Sequence, residues 1–390
     1  MIDIKSEKDC CGCNACEQAC PKRCISMVQD AKGFSYPEVD LSHCIDCHIC
    51  ERVCPIINQC DERFPVEVCA ARNANINIKK QSSSGGIFKT LALKAIADGG
   101  VVFGASFNKN NEVRHSFCED AEGVDVFVGS KYVQSNIGDS YRQAEAFLKN
   151  GRLVLFSGTS CQIAGLQRFL RKDYGDLLIK VEVICHGVPS PRIWNDYLNY
   201  YENYLSVGNI HQINFRDKNL GWERYGFSFH YNDKTGKGCK FFQNRIGNPF
   251  MLGFLSNLNL RPSCFSCPAK SGKSLSDISM ADFWGIKNNY PSLYDFYGTS
   301  LLLLYTDKGC AFVDSCKDII ATQVDFDIAK GNNPAISHSA EQPTGYCEFW
   351  TAYVEGGIDA IESIVMRNKS SLTKRAIFVI KGYIEKMRNK

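Results

Sequence analysis

The sequence predicts a small cysteine-rich α+β module followed by an α/β domain whose β-sheet is mostly mixed. Three observations carry this prediction. Cysteines recur with a doubled spacing between Cys10 and Cys54. Strand-like and helix-like segments alternate from about residue 85 to residue 200, which is typical of helices that cover a sheet. Strand-like segments then follow one another from 210 to 242, around a hairpin turn at 233–238, and this adds antiparallel pairing to the sheet.

The cysteine spacing is the most specific signal in the chain. Residues 10–21 and 44–55 each read C-x2-C-x2-C-x3-C-P, the run by which bacterial ferredoxins hold [4Fe–4S] clusters. Three cysteines of one loop can reach three corners of a cubane, whereas the fourth lies too far along and serves the other cluster. The spacing therefore predicts two clusters, with ligands Cys10, Cys13, Cys16 and Cys54 for cluster one, and Cys20, Cys44, Cys47 and Cys50 for cluster two. Zinc, which also uses C-x2-C pairs, is the alternative; Cys11 and Cys24 fall outside the pattern and are interpreted as structural.

Length and composition narrow the class of protein. A chain of 390 residues suggests two or three domains, and its apolar fraction of 44% suffices for a sizeable core. The formal net charge of +3 is too small to indicate a nucleic-acid partner. The sequence contains no apolar run of about 18 residues, so no membrane-spanning helix is predicted. The N-terminus lacks the apolar core of a signal peptide. Because many of the 21 cysteines have to be thiolates, we expect a reducing, cytoplasmic location.

The predicted elements divide the chain into four segments. Residues 1–62 form the ferredoxin-type module, with a strand at 34–39, and residues 61–65 read as a linker. Residues 66–150 and 151–320 are two parts of the α/β domain, and residues 321–390 are a helical extension. The periodicity predicts strands at 66–71, 101–107, 113–118, 152–156 and 177–184. It predicts helices from 87 to the stop at Gly99-Gly100, at 139–150, at 162–171 and after Ser190-Pro191. Residues 157–161 are predicted to form a turn.

A serine–glycine turn at 82–86 precedes the first helix of the α/β domain. The N-terminus of a helix offers free N–H groups and a positive dipole end, which suit a phosphate group. The hydroxyls of Ser82, Ser83 and Ser84 would add donors, and Gly85 and Gly86 allow close approach of the backbone. An ordinary turn is the alternative. No G-x-G-x-x-G follows a strand, so the usual dinucleotide fingerprint is absent from the sequence.

Four further cysteines lie on three separate loops. Cys161 and Cys185 fall in turns at predicted strand ends, where ligands gather in α/β sheets, and Cys264 and Cys267 form a C-x2-C pair before Pro268. Four thiols are the number that a third [4Fe–4S] cluster needs. A zinc knuckle at Cys264 and Cys267, with two buried free cysteines, is the alternative that spacing alone leaves open.

Seven ordered strings together resemble one known family. They are SSSGGIF (82–88), SKYVQS (130–135), LFSGTSCQIAGL (155–166), ICHGVPSPRIW (184–194), FRDKNLGW (215–222), LRPSCFSC (260–267) and SDISMADFWG (276–285). Over residues 66–310 the chain resembles the β subunit of coenzyme F-420 hydrogenases and dehydrogenases, with the ferredoxin module in front.

The resemblance implies FAD in the α/β domain beside a [4Fe–4S] cluster. It favours Cys161, Cys185, Cys264 and Cys267 as ligands of that third cluster. It also implies a set of flavin contacts, namely Ser83, Ser84, Gly85, Gly86, Lys131, Tyr132, Gln134, Ser135, Ser157, Gly158 and Thr159.

Three further side chains are candidates for chemistry on a substrate. His186 has a proton equilibrium near neutral pH and could protonate substrate or flavin, or could hydrogen-bond within its turn. Arg216 and Lys218 could grip an anionic substrate, since arginine suits bidentate contacts, or could belong to a solvated loop.

These features predict an iron–sulfur flavoprotein oxidoreductase. Electrons would pass between the clusters and FAD, and FAD would exchange hydride with a small organic substrate or with the deazaflavin coenzyme F-420. A redox protein such as ferredoxin is the expected electron partner. The alternative is an electron-transfer subunit of a larger complex with no substrate site of its own. A third hypothesis concerns membrane attachment through the basic segment 367–390, for which a solvated terminal helix is the alternative.

Overall fold

The N-terminal part of the chain is the small α+β module that the cysteine spacing predicts. The fold is that of a computed structural model, which describes residues 1–362 and 364–365. Strand β1 (Ile25–Gln29) pairs antiparallel with β2 (Ser35–Val39), and helices α1 (Ala15–Ala19) and α2 (Ile49–Arg52) each begin within a cysteine loop. The prediction of a ferredoxin-like module is therefore confirmed.

The rest of the described chain alternates between helices and strands. The helices are α3 (Ile76–Gln81), α4 (Ile87–Ala97), α5 (Ser140–Lys149), α6 (Ser160–Leu170), α7 (Pro191–Leu205), α8 (Pro249–Leu255), α9 (Ile286–Asn289), α10 (Asp307–Asp314) and α11 (Phe326–Asn332), and residues 346–362 are also helical. The strands are β3 (Glu67–Asn73), β4 (Val101–Phe107), β5 (Val113–Cys118), β6 (Val154–Thr159), β7 (Leu178–Val183), β8 (Ile210–Asp217), β9 (Gly226–Asn232), β10 (Gly238–Asn244), β11 (Ile278–Asp282), β12 (Ser300–Leu304) and β13 (Ile319–Gln323).

Eight of these strands form one mixed sheet in the order β13-β3-β12-β11-β7-β6-β4-β5. Its faces are covered by helices because apolar side chains alternate along the strands. Val102 and Leu155 pack under α4 and α10, while Phe103 and Phe156 face α5 and α6. The prediction of an α/β domain with a mixed sheet is therefore confirmed. The sheet takes strands from both sides of residue 150, and the proposed division there stays a prediction.

Two local predictions were wrong. The strands between Ile210 and Asn244 do not join the large sheet but form a separate three-stranded antiparallel sheet, β10-β9-β8. Their aromatic side chains pack with α7, α8 and residues 346–362 in a core of their own, which includes Trp194, Phe227 and Trp350. The large sheet is mixed because β5, β12 and β13 run antiparallel to their neighbours. Residues 157–159 also belong to β6 and not to a turn, because they pair in register with β7.

The ferredoxin module is packed directly against the α/β domain. Cys11, Cys13 and Ala15 share a core with the apolar faces of α5 and α6. Polar contacts add to this packing: Arg142 Nε donates to Gln18 O at 2.8 Å, and Arg192 NH1 donates to Ala31 O at 2.9 Å. The module is thus placed by both apolar and polar contacts.

In the part of the chain that the structure describes, no helix has both the length and the apolar character needed to cross a membrane. The hypothesis of membrane attachment falls on residues 367–390, which lie outside the described residues.

Candidate functional site

The carboxyl ends of five strands meet at one edge of the large sheet. Strands β4, β6, β7 and β11 are successively parallel. Strand β3 has the same direction, because β3 and β11 both pair antiparallel with β12. Ligands bind at this edge in α/β folds. Segments that sequence analysis singled out lie at this edge: 82–86 comes after β3, 157–161 spans the end of β6, 185–187 follows β7, and the string 276–285 runs past the end of β11.

Both cysteine loops of the ferredoxin module have the same backbone design. The residue directly after the second cysteine, Asn14 in one loop and His48 in the other, has a φ of 58°. Each is followed at once by a short helix. Most L-residues adopt this left-handed conformation only at an energetic cost, so its occurrence at the same position shows that the two loops turn in the same way.

The thiols predicted for cluster one come from both loops. Cys16 lies within electrostatic reach of Cys10 and Cys54, and Cys13 lies within reach of Cys16 and Cys54. The amide of Gly12 donates to Cys10 Sγ at 3.4 Å. Backbone N–H groups of this kind help to set the potential of a cluster.

The thiols predicted for cluster two line one cavity. Cys20, Cys44, Cys47 and Cys50 all contribute to its wall, and every lining residue belongs to the ferredoxin module. Cys24 also lines this cavity, with its Sγ 3.5 Å from Cys20 Sγ. The sequence pattern leaves Cys24 out, although the structure brings it to the cluster-two thiols.

The four remaining candidate thiols converge at the sheet edge. Cys161 lies in the first turn of α6, Cys185 follows β7, and Cys264 and Cys267 lie on a turn after α8. Each of Cys161, Cys185 and Cys267 is within electrostatic reach of Cys264. Burial raises the pKa of Cys185 to about 12 and that of Cys267 to about 11, and the neighbouring thiols add to both shifts. Thiols so placed become stable thiolates when a cationic group balances them.

Over residues 1–362 and 364–365, no three histidine, cysteine or acidic side chains form a group that could hold a metal ion. A [4Fe–4S] cluster differs from a single ion because each of its cysteine ligands binds a different corner of the cubane.

Two sets of hydrogen bonds hold the loops of these four thiols. The loop after β7 pairs with the segment before Cys264, since Arg261 N donates to Val188 O at 3.0 Å and Ser190 N donates to Asn259 O at 3.1 Å. The buried carboxylate of Glu182 accepts hydrogen bonds from four serine hydroxyls, those of Ser160, Ser274, Ser276 and Ser279. Since Ser160 immediately precedes Cys161, the carboxylate of Glu182 helps to fix the start of α6.

The serine–glycine turn lies at the start of α4, as predicted. The N-cap Gly86 has a φ of 86° and, having no side chain, cannot accept a hydrogen bond from the first N–H groups of α4. The turn is anchored by Gly85 N, which donates to Ser300 Oγ at 3.0 Å, and by Ser84 Oγ, which donates to Thr299 O at 3.2 Å. Ser83 Oγ accepts from Ser130 N at 2.6 Å and thereby joins this turn to the segment of Lys131.

Lys131 directly follows Ser130, which bonds to the serine–glycine turn. Within the part of the chain that the structure describes, no carboxylate accepts a hydrogen bond from its ammonium. Its ammonium donates to Val128 O at 3.3 Å and to Gly129 O at 3.2 Å. Desolvation lowers the pKa of Lys131 to about 7. The neighbouring ring of Tyr132 stacks on Phe254, with ring centroids 4.7 Å apart.

Several residues predicted to touch the flavin already have partners within the protein. Ser157 Oγ donates to Phe103 O at 2.9 Å, and Ser135 Oγ lies 3.0 Å from His115 Nδ1. Thr159 caps α6 in a capping box with Gln162, and Gly158 packs against Gln162. These side chains shape the sheet edge, and their backbone groups remain the parts through which they could approach a ligand.

Gln134 bridges the two parts of the molecule. Its Nε2 donates to Cys11 O at 3.1 Å, and its Oε1 accepts from Arg261 NH1 at 3.1 Å. The amide is therefore directed toward the ferredoxin module.

His186 lies on the exposed side of the loop after Cys185. Its Nε2 is 2.6 Å from Asn257 Oδ1, and its ring packs edge-on against Phe254. Partial desolvation lowers the pKa of His186, so its neutral form is favoured near pH 7. The hydrogen bond of His186 therefore goes to a residue after α8 and not to its own turn, and the ring is exposed.

Arg216 is buried among aromatic rings and one carboxylate. Its NH1 lies 2.7 Å from Asp282 Oδ2 and its NH2 lies 3.1 Å from Asp282 Oδ1, which is a bidentate pair. The guanidinium carbon is 3.9 Å from the centroid of the Tyr225 ring. Asp282 also accepts from Trp222 Nε1 at 2.7 Å. Among the described residues, Nε of Arg216 is left buried without a partner.

Lys218 is engaged by backbone carbonyls. Its ammonium donates to Lys79 O at 2.6 Å, to Ser84 O at 3.1 Å and to Tyr297 O at 2.5 Å. Desolvation lowers the pKa of Lys218 to about 7. The ammonium of Lys218 thus holds the serine–glycine turn through the carbonyl of Ser84.

Sequence analysis missed Arg261 and Glu182, which hold the loops of the converging thiols. Glu182 had a detectable signal, because a carboxylate inside the apolar strand 178–183 has to find buried donors. Arg261 lies three residues before Cys264, but only the fold shows that its side chain reaches the cysteine loop of the other module.

Comparison with known proteins defines the class first. Residues 9–56 match the family model of a 4Fe-4S dicluster domain. The chain is therefore an iron–sulfur electron-transfer protein.

The second match gives the family. Residues 151–325 match the family model for the C-terminal part of the beta subunit of coenzyme F420 hydrogenase/dehydrogenase. The resemblance to that family is thus confirmed, and five of the seven strings lie within the matched residues.

Other comparisons are more distant. No curated protein matches the chain. A chain of the F420-reducing [NiFe] hydrogenase complex from Methanosarcina barkeri, in a structure of its xenon derivative, is similar at 16% identity with a TM-score of 0.46. The similar region covers 70% of this chain and 90% of that chain.

Proposed function

We propose that this protein is an iron–sulfur flavoprotein oxidoreductase with three [4Fe–4S] clusters and FAD. The observation that carries the proposal is the convergence of Cys161, Cys185, Cys264 and Cys267 at the carboxyl edge of the sheet. That edge adjoins both the ferredoxin module and the uncapped start of α4.

The chemistry of the four thiols supports a third cluster. They come from three different loops, they are desolvated, and the other three thiols all raise the pKa of Cys264. A buried group of this kind fits a cationic iron centre, which takes thiolates as ligands. The zinc alternative at Cys264 and Cys267 leaves the approach of Cys161 and Cys185 unexplained.

The start of α4 supports a phosphate-bearing cofactor. Its free N–H groups and its dipole favour an anion, and Lys131 offers a cationic or neutral amine nearby. FAD, when bound, would supply the ability to exchange single electrons with clusters and hydride with an organic partner. Ser83, Ser84, Gly85, Gly86 and Lys131 are the residues that would hold its phosphates.

The substrate would be a small organic molecule or coenzyme F-420. His186, with its exposed ring, is the side chain that could hold or deliver a proton at Nδ1, because Nε2 is occupied by Asn257. Arg216 and Lys218 would contribute by positioning Asp282 and the serine–glycine turn.

The second candidate function is an electron-transfer subunit that acts only within a larger complex. The engagement of Arg216 and Lys218 favours it, since both cations already have protein partners, the guanidinium a carboxylate and the ammonium three carbonyls. In this case the redox partner, and not a small molecule, would accept the electrons.

Reconstitution with FAD tests the proposal. Anaerobically purified protein should bind FAD, and its flavin absorbance should bleach when dithionite is added. Ser83→Ala removes the acceptor of Ser130 and should weaken FAD binding about fivefold, which corresponds to one hydrogen bond. Ser42→Ala, an exposed change in the ferredoxin module, is the matched control.

Failure of the wild-type protein to bind FAD would remove the flavoprotein proposal. Dye-coupled turnover of a small molecule by the isolated protein would exclude the second candidate, in which the chain only relays electrons.

A further inference from the structure

Arg261 joins the cysteine loop of cluster one to the loop of the proposed third cluster. Its side chain is completely buried. Nε donates to Cys10 O at 2.8 Å, whereas its own carbonyl accepts from Cys264 N at 2.9 Å. One residue thus bonds to the backbone of a predicted ligand on each side of the boundary between the two modules.

The hydrogen-bond partners of the Arg261 guanidinium are neutral. Besides Cys10 O, NH1 donates to Gln134 Oε1 at 3.1 Å and NH2 donates to Ser35 O at 2.9 Å. The faces of the guanidinium meet the aromatic rings of Tyr36 and Phe34, at 4.4 Å and 5.4 Å from the ring centroids. A buried charge is costly unless an opposite charge balances it, and these partners leave the charge to be balanced elsewhere.

The groups that can balance this charge are the cluster ligands. Arg261 interacts electrostatically with Cys10 and Cys264, and Cys161 feels its charge as well. Cys11 lies between the two sets of thiols, because its side chain interacts with both Cys13 and Cys161.

Close packing keeps the two sets of thiols together. A Cβ on Gly165 of α6 would lie 2.9 Å from Cys13 Cβ, so α6, which begins at Ser160, can approach the cluster-one loop only with glycine at 165. Cys161 and Gly165 are one helical turn apart and face the same loop.

We infer that Arg261 is the shared counterion of cluster one and the third cluster, and that electrons cross between the two modules at this junction. Gln134 fixes the guanidinium through Oε1 and the cluster-one loop through Nε2. Cluster two would then be the cluster farthest from the α/β domain in the order of electron transfer, since the cavity of its thiols is lined by residues of the ferredoxin module. The inference rests on the proposed third cluster.

The physical consequence is a specific change in reduction potential. Reduction adds one negative charge to a cluster, and a fixed positive charge nearby favours this step. Because Arg261 is buried, water and salt screen its charge weakly. Its removal should therefore lower the midpoint potentials of the two adjacent clusters and leave that of cluster two unchanged.

The test is a potentiometric titration of the holoprotein followed by EPR. In Arg261→Gln, the equilibrium constant for one-electron reduction of two clusters should fall at least about tenfold, a shift of about 59 mV to lower potential. Arg261→Lys keeps the charge and should stay close to the wild type. Arg142→Gln is the matched control, because Arg142 also docks the ferredoxin module, through Gln18 O, but pairs with Asp139 at the surface.

Several results would overturn the inference. Unchanged potentials in Arg261→Gln with all iron retained would overturn it while leaving the third cluster in place. An equal shift in Arg142→Gln would do the same, since docking and not charge would then set the potentials. A wild-type protein with only about eight iron atoms would remove the third cluster itself, and with it this inference.

If Arg261→Gln does not retain iron, Gln134→Glu decides the question. This isosteric change places a carboxylate against Arg261 and should lower the same two potentials. Potentials that stay at the wild-type values in Gln134→Glu would overturn the inference.

Discussion

Lys131 and Arg216 are both desolvated basic side chains, but only Arg216 has a carboxylate partner that balances its charge. Asp282 forms a bidentate pair with Arg216, so its charge is balanced and fixed. Lys131 donates to backbone carbonyls, and desolvation lowers its pKa to about 7. Of the two, Lys131 is the side chain that an incoming anion could still stabilise.

The reactivity of Lys131 toward an acylating reagent should depend on pH with a midpoint near 7. Burial disfavours the ammonium, so about half of the side chains carry the nucleophilic neutral amine at that pH. Lys149 on α5 is the control, because its hydrogen bond to Glu145 raises its pKa and keeps it protonated to higher pH. Peptide mass spectrometry after brief labelling at a series of pH values measures both.

Saturating FAD should protect Lys131 from labelling and leave Lys149 unchanged. Equal pH profiles for the two lysines would show that Lys131 is not desolvated. Labelling of Lys131 that is unaffected by bound FAD would exclude it from the flavin site.

At the scale of elements, α6 both carries a candidate thiol and packs against the ferredoxin module. Its first turn carries Cys161, and its apolar face packs on the ferredoxin module through Gly165 and Ile163. The capping box of Thr159 and Gln162 and the bond from Ser160 to Glu182 fix where the helix begins. The position of one proposed cluster ligand, Cys161, therefore depends on how tightly the two modules pack.

Gly165→Ala should loosen this packing. The added Cβ would lie 2.9 Å from both Cys13 Cβ and the hydroxyl of Tyr141, so the loop or the helix has to move. We expect a loss of about 1–3 kcal/mol in the free energy of unfolding, as for overpacked cores, together with a lower iron content. Gly331→Ala on α11, where a Cβ meets nothing within 4 Å, should be neutral or slightly stabilising.

Denaturant unfolding under anaerobic conditions, with iron analysis of the same samples, compares the two variants. Equal stability and equal iron content in both would show that the close approach of α6 to Cys13 has no structural importance.

Local patterns in the sequence were enough to predict most elements of the fold. Strands β4 and β5 have the predicted limits, because their apolar runs are bounded by glycine and polar residues. The extent of β6 was missed, since Ser157, Gly158 and Thr159 have the composition of a turn and are held in the strand by their pairing with β7. The separate sheet β10-β9-β8 was also missed, because only the aromatic core beneath it distinguishes it from an extension of the large sheet.

For the candidate site, spacing predicted which thiols could be ligands but not which residues hold their loops. The positions of Cys161, Cys185, Cys264 and Cys267 follow from strand ends and a C-x2-C pair, which are local features. The role of Arg261 could not be predicted, because its partners Cys10 and Ser35 lie more than two hundred residues away in the chain. The contacts of Gln134 with Cys11 and Arg261 could not be predicted either, because both partners lie more than one hundred residues away in the chain.

At the scale of the whole molecule, the proposed redox sites follow one another from the ferredoxin module into the α/β domain. The ferredoxin module carries the cluster-two cavity on one side and presents the cluster-one loop to the α/β domain on the other. The thiols of the proposed third cluster lie beside this loop, since the side chain of Cys11 interacts with both Cys13 and Cys161. Single electrons entering at the ferredoxin module would thus reach the sheet edge where FAD is proposed to bind.

The most direct test of this account is the iron and acid-labile sulfide content of anaerobically purified protein. Three cubanes predict about twelve iron atoms per chain, and Cys161→Ser should reduce this to about eight. Cys310→Ser on α10, remote from the proposed ligands, should keep about twelve. About eight iron atoms in the wild type, unchanged by Cys161→Ser, would contradict the account.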